Sequence, residues 1–287
     1  MEVEFVKISP TQNMTILVTT PVERKHYRDL AEKIMAYDSV HAEQVGFVEK
    51  PENPKALARL QMAGGEFCGN AALSLCAYLV WKGDVEGAGL NSGLNSGLNL
   101  GLCPEQRTVP IEVSGSRDIL FCEIKKREGY YLAKFNMPVP ESIGSFDTEI
   151  AGSLPVVYMP GISHVIVDTE KLGVNKDQLV ASLLSNHESF TKEDAFGIMF
   201  YDNKNCSIEP FVYVKTAGTK IWERGCASGS ASIAAYMAHV SGKSVKLDIT
   251  QPGGVITAEV NTADGKITGI SVEGKIVIVA QGKAFLK

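Results

Sequence analysis

Two stretches of this chain, 158 residues apart, carry one pattern: a glycine-bearing turn, a cysteine, small residues, then an apolar run. The first reads Gly64-Gly-Glu-Phe-Cys-Gly-Asn-Ala-Ala and the second Glu223-Arg-Gly-Cys-Ala-Ser-Gly-Ser-Ala. Laid over each other, Cys68 matches Cys226, Ser74 matches Ser232, Ala77 matches Ala235 and Tyr78 matches Tyr236. Upstream, at an offset of 151, Glu43 to Val48 lies over Asp194 to Met199, and Asn13 to Val18 lies over the run that starts at His164. A single repeat at so long a period implies two similar domains and not a solenoid. A chain of 287 residues is long enough for two small domains without staples.

Periodicity fills in the elements. Residues 22–37 have helical spacing, with Tyr27, Leu30, Ile34 and Met35 on one face, and 177–184 is the counterpart. The segments after Cys68 and Cys226 are apolar nearly all round, as in helices surrounded by protein. Strand character appears at 3–8, 15–19, 111–113, 119–124, 131–135, 165–167, 198–201, 211–214, 245–249, 255–260 and 276–279. The expected class is α+β, with two similar domains, each a curved and mostly antiparallel sheet wrapped around a buried helix. The expected boundaries are 1–127, completed by a C-terminal strand at 276–287, and 128–275. The Gly-Leu-Asn-Ser repeat within 87–102 reads as an expanded surface loop.

Charge and cysteine usage exclude several functions. The net charge is −5 with no long run of like charges, which argues against a nucleic-acid groove or a basic membrane face. No apolar run approaches the length of a membrane span, and the N-terminal Met-Glu-Val-Glu-Phe lacks signal-peptide character. A cytoplasmic protein with reduced thiols is expected. The six cysteines form no C-x-x-C pair and none has a histidine at zinc-finger spacing, so no metal is expected. Cys76 and Cys122 sit in apolar runs and read as small buried hydrophobes, while Cys103 and Cys206 lie in or near loops without a motif.

Cys68 and Cys226 differ. Each stands where a helix begins, and a helix N-terminus presents free N–H groups and a positive dipole end to a thiolate or a carboxylate. Two such thiols on either side of a cleft can invert a carbon centre, one removing a proton from one face while the other returns one to the opposite face. The two N-termini would neutralise the substrate carboxylate and the enediolate that develops from it. No lysine lies in a recognisable pyridoxal-phosphate motif, so a cofactor-free route is expected.

At these residues the chain resembles the diaminopimelate epimerase superfamily of pyridoxal-phosphate-independent amino-acid racemases and epimerases, over essentially its whole length. Phe5 to Asn13 is similar to the family's first strand and its substrate-contacting Asn, and Gln44 matches a family glutamine. Phe67-Cys-Gly-Asn70 and Cys226-Ala-Ser-Gly-Ser230 resemble the two cysteine motifs, with Ala227 where Gly is usual. Gly161-Ile-Ser-His164 looks like Gly-Asn-Pro-His with Ile162 in place of Asn. The resemblance implies a two-domain fold with the active site in the interdomain cleft, and Cys68 and Cys226 as the catalytic pair. It implies substrate contacts from Asn13, Glu43, Gln44, Gly69, Asn70, His164, Ala227 and Ser228, with His164 in a supporting place; by itself Glu43 reads either as a solvated helix-end carboxylate or as a partner for an imidazole or amine. Glu66 carries the same ambiguity between a solvated and a substrate-facing carboxylate.

The departures bear on the substrate. Ile162, Gly197 and the stretch Thr216 to Thr219 stand where diaminopimelate epimerases read the distal amino-acid centre, and Glu223-Arg224-Gly225 lies too close to Cys226 to be their Glu-Arg-Gly block. Diaminopimelate is therefore expected to be a poor substrate. The segments around Cys68 and Glu43 look most like histidine racemases of metallophore synthesis. Rival readings are a proline or hydroxyproline epimerase on the same scaffold, or a binding protein that has lost catalysis. The expected partner is a small-molecule amino acid, with no nucleic acid and no membrane, and a homodimer is the assembly to look for.

Overall fold

The computed structural model describes residues 1–83, 85, 106–216 and 218–286. The 87–102 repeat loop and Cys103 lie outside the described residues. In chain order the elements are β1 (Glu2–Pro10), β2 (Thr15–Val18), α1 (Tyr27–Met35), β3 (Gln44–Glu49), β4 (Ala58–Met62), α2 (Gly69–Lys82), β5 (Gln106–Val113), β6 (Leu120–Arg127) and β7 (Tyr130–Met137). There follow β8 (Ser142–Thr148), β9 (Gly152–Met159), β10 (Ile162–Asp168), α3 (Lys176–Asn186), β11 (Ala195–Asp202), β12 (Ser207–Val214) and β13 (Thr219–Trp222). The chain ends with α4 (Ala227–Ser241), β14 (Val245–Gln251), β15 (Gly254–Ala263) and β16 (Lys266–Phe285). The class is α+β, dominated by sheet.

The sequence repeat reappears as a repeat of strand pairing. β2 and β3 are parallel, as are β10 and β11. β3–β4 and β11–β12 are antiparallel, and β4–β5 and β12–β14 are parallel again. The antiparallel runs β5–β6–β7 and β14–β15–β16 complete the two series. The strand β16 links them, because it pairs with β15 and β7 along its first half and with β1 from Ile276 to Phe285.

One part of the sequence alignment is displaced. Leu17 lies beside Gly46 and His164 beside Gly197, so the counterpart of His164 is Leu17 and not Asn13. The cause is a longer turn in the first half: Ile8 pairs with Thr15 across six intervening residues, whereas Met159 pairs with Ile162 across two. That extra turn contains Thr11 and Gln12 with φ of 48° and 61°, and Asn13 at its end. β3, β4, β8, β9 and β13 are not marked by periodicity. β8 is a largely exposed edge strand with little apolar alternation, and Pro155 interrupts β9.

Helices α2 and α4 are surrounded by protein because Leu73, Leu75, Cys76 and Ala77 in one, and Ile233, Ala234 and Ala235 in the other, are fully buried. Each ends at a glycine in the left-handed region, Gly83 at φ 88° and Gly242 at φ 68°, which frees the last carbonyls to accept from it. Their core is one continuous cluster shared by both halves, while α1 and α3 cover two smaller ones. Cys76 and Cys122 are buried in that main core. No helix among the described residues is long and apolar enough to cross a membrane.

Because residues Ile276 to Phe285 supply the whole β16 side of β1, truncation after Lys275 is expected to abolish cooperative unfolding in a thermal circular-dichroism scan. A truncated chain melting within a few degrees of the full one would contradict this placement of β16.

Candidate active site

Cys68 and Cys226 are the N-caps of α2 and α4, with nearly superimposable backbones: φ −131°, ψ 109° and φ −129°, ψ 106°. Each sulfur accepts from the N–H three residues on, Ala71 at 3.4 Å and Gly229 at 3.3 Å. The small residues that follow allow the two helix starts to meet. A Cβ added at Gly69 would stand 3.2 Å from the Cβ of Ala227.

The long turn at 11–14 fastens the two series together. Asn13 and Asn70 both donate Nδ2 to the carbonyl oxygen of Gly225, at 2.9 and 2.8 Å. The Thr11 carbonyl packs so closely that a Cβ at Gly225 or Gly253 would collide with it. Arg224 donates to Gln12 at 2.8 Å and to the Pro252 carbonyl at 3.0 Å. Behind Cys226, Gln251 accepts from the Cys226 N–H at 2.6 Å and donates to Ser230 at 2.7 Å.

Both thiols line one cavity of about 70 Å³. Its other walls are Gln44, Glu66, Phe67, Gly69, Asn70, Ile162, Ala195, Val212, Val214, Glu223, Ala227 and Ser228. Space of that size holds a few waters, and a whole amino acid enters only if the walls part. The thiols have different neighbours. Cys68 donates to Gln44 Oε1 at 2.9 Å, and Thr15 fixes that amide by accepting from Nε2 at 2.7 Å. Cys226 lies 3.5 Å from the Ser228 hydroxyl, which is 3.2 Å from His164 Nε2, and His164 Nδ1 is 3.0 Å from Ser232.

Acceptors without partners stand on the cavity wall, at Glu66, Glu223 and Asn70, and outside it, at Glu43 and Asn13. Glu43 Oε2, Glu66 Oε2, Glu223 Oε2 and the Oδ1 atoms of Asn13 and Asn70 are buried and unbonded. Burial pushes Glu223 up to about 7, and burial plus the nearby Glu223 pushes Glu43 up to about 7. Burial raises Glu66 as well, with Asp194 adding to the effect and the backbone N–H groups of Glu66 and Gly64 opposing it. Burial lifts Cys68 to about 12 and Cys226 well above the ordinary thiol range, with Glu223 contributing to both. Burial pushes His164 down to about 3, so its ring is neutral. Both thiols are therefore protonated at neutral pH, and the acceptors beside them suit a cation or an N–H donor.

Of the residues named from sequence, Gln44, Cys68, Gly69, Asn70, Cys226, Ala227 and Ser228 meet at the cavity. Three named residues do not line it. Asn13 is engaged with Gly225, and His164 stands behind Ser228. Glu43 faces Glu223 and Arg224. Gly197 is also no part of the wall: a Cβ there would stand 2.7 Å from His164 Cδ2, so the glycine makes room for that ring. Glu223 is the main residue that sequence reasoning passed over, since it was weighed only as a displaced Glu-Arg-Gly block. Its proximity to Cys226 was the available signal. Among the described residues no group of three or more His, Cys, Asp or Glu is arranged to hold a metal ion.

Comparison with known proteins identifies the family and the fold. Residues 2–285 match the family described as Histidine racemase CntK N-terminal domain. A histidine racemase of Fusobacterium nucleatum is 29% identical over 286 residues, spanning 99% of this chain and 97% of that one. One from Staphylococcus aureus is 27% identical over 289 residues, spanning 99% and 98%. Among solved structures, a hydroxyproline epimerase from Agrobacterium vitis with bound trans-4-hydroxy-L-proline shares the fold. It has a TM-score of 0.69 and 12% identity, covering 100% of this chain and 93% of that one. A methylitaconate-delta-isomerase shares it at 0.57 and 10%, covering 100% and 96%.

The raised carboxyls have a stability consequence. Glu223 holds a proton more tightly folded than unfolded, so its contribution is full below its ordinary value of 4.5 and is lost as pH rises through about 7. Glu223→Gln is therefore expected to be more stabilising at pH 8 than at pH 5, by about 3 kcal/mol in urea unfolding. An equal effect at both pH values would show that the carboxyl is not buried as described.

Proposed function

The chain belongs to the histidine racemase CntK N-terminal domain family, and from that premise we propose that it inverts the α-carbon of histidine without a cofactor. It is an isomerase of the amino-acid racemase and epimerase type. The observation that carries the finer reading is that Cys68 and Cys226 cap two helices whose N-termini open on one cavity. In this reading two units, 1–127 with 276–287 and 128–275, enclose the substrate in a cleft between them. The closed form leaves about 70 Å³ there, so the units part to admit an amino acid and close on it. The reaction takes place in the reducing cytoplasm, where both thiols stay free.

The chemistry follows from the placement of charge. The substrate carboxylate sits against the N–H groups that open α2 and α4, where the dipole ends favour an anion. The α-ammonium faces the unbonded carbonyl oxygen of Asn70 and the Glu223 carboxyl, both on the cavity wall. Burial is the main cause that holds both thiols protonated, with Glu223 adding to it; the arriving ammonium offsets the Glu223 charge and favours loss of one thiol proton to water. That thiolate takes the Cα proton. The electron pair moves into the carboxylate, and the helix N–H groups hold the enediolate. The opposite thiol then gives its proton to the other face, and the roles reverse for the other enantiomer. Ser228 and the neutral His164 behind it steady Cys226, and Gln44 steadies Cys68.

Cys68→Ser and Cys226→Ser are each expected to lower histidine racemisation by about 10³-fold or more, because a hydroxyl is a far weaker acid than a thiol. Either variant is still expected to exchange the Cα proton of one enantiomer, detectable by proton NMR in D2O. Chiral chromatography showing full racemisation by either single variant would overturn the two-thiol mechanism.

A further inference from the structure

We infer that Glu66 selects the substrate's side chain: it lines the cavity together with aliphatic side chains and its carboxylate accepts an N–H from a five-membered heteroaromatic ring. This inference rests on the racemase reading above.

The carboxylate is positioned before any ligand arrives. Glu66 lies in the turn that leads into Cys68, and its carbonyl accepts from Ser114 Oγ at 2.7 Å, while Ser114 Oγ accepts from the Met62 N–H at 3.0 Å. Gly115 holds the same turn from behind, since a Cβ there would collide with the Phe67 backbone. Gly64 leaves the space the carboxylate occupies: a Cβ at 64 would stand 2.6 Å from Glu66 Oε2. That oxygen is buried and has no partner.

The surroundings define what satisfies it. Ile162, Val212 and Val214 line the same cavity and offer no side-chain polar atom. Thr216 is occupied with the Asp194 carboxylate at the rim. A ligand group that reaches Glu66 must therefore be flat enough to lie against aliphatic side chains and must carry an N–H at its edge. An imidazole has both properties. Glu43, the other carboxylate considered for this role, is not on the cavity wall. Glu223 is beside both thiols and is taken up by the reacting centre. Leaving the buried Oε2 atom unpaired is costly, so a site of this kind rejects a ring that lacks the donor.

The test compares histidine with β-(2-thienyl)alanine, which carries a five-membered aromatic ring without N–H. Turnover is followed for both as Cα deuterium incorporation in D2O, for the wild type, Glu66→Gln and Glu66→Met. The wild type is expected to prefer histidine by about 10²-fold in kcat/KM. Glu66→Met is expected to lower that preference at least tenfold, through KM for histidine more than through kcat, and to improve thienylalanine relative to histidine. If Glu66→Met fails to fold, Glu66→Gln carries the comparison, with a smaller fall in the same ratio. A ratio within threefold of wild type in the folded variant overturns the assignment of Glu66 and leaves the racemase reading standing. A parallel loss with both substrates overturns it too, because the residue would then serve the reaction or the fold. A wild type that handles histidine no better than thienylalanine contradicts the histidine reading itself, whatever the variants do.

Discussion

Two positive helix ends meeting at one point is the constraint on which the rest of this structure depends. The starts of α2 and α4 approach until Gly69 and Ala227 are in contact. Like dipole ends brought this close repel, and each leaves N–H groups without partners. The arrangement persists because both helices are buried in one shared core, and because Asn13 and Asn70 converge on the Gly225 carbonyl between them. The thiols relieve part of the cost as N-caps. An anion between the helix ends relieves the rest, which is why the geometry suits a substrate carboxylate.

Around that positive centre lies a shell of acceptors. Glu43, Glu66 and Glu223 are all pushed upward, and burial holds both thiols protonated. The pattern opposes reactivity at rest, since a permanently ionised thiolate in a cell is open to oxidation. A zwitterion supplies both missing charges at once, its carboxylate to the helix ends and its ammonium to the acceptor shell. In the proposed mechanism the charge of the substrate prepares the base that attacks it.

The repeat and the two cysteine motifs were legible from sequence because their constraints are local. A capping thiol, small residues and an all-round apolar helix leave a pattern that survives in a single chain. The strand register was less legible. His164 was aligned with Asn13, although the longer turn at 11–14 makes Leu17 its true counterpart. Nothing in short-range periodicity reports the length of a turn whose purpose is to touch Gly225 and Gly253. The acidic shell was visible only in part. Glu43, Glu66 and Glu223 come from three separate segments, and a glutamate in a loop reads as solvated until the opposing wall is known.

The central claim is that two groups on opposite faces, and not one base acting twice, move the α-proton. The most direct measurement starts wild-type protein on L-histidine in D2O and, at a few per cent conversion, determines deuterium at Cα in both the D-histidine formed and the L-histidine left. Two thiols require the product to be fully deuterated while the remaining substrate keeps its proton, and the same result must hold starting from D-histidine. Deuterium appearing in recovered substrate as fast as in product would mean that a single base serves both faces, and the two-thiol account would be wrong.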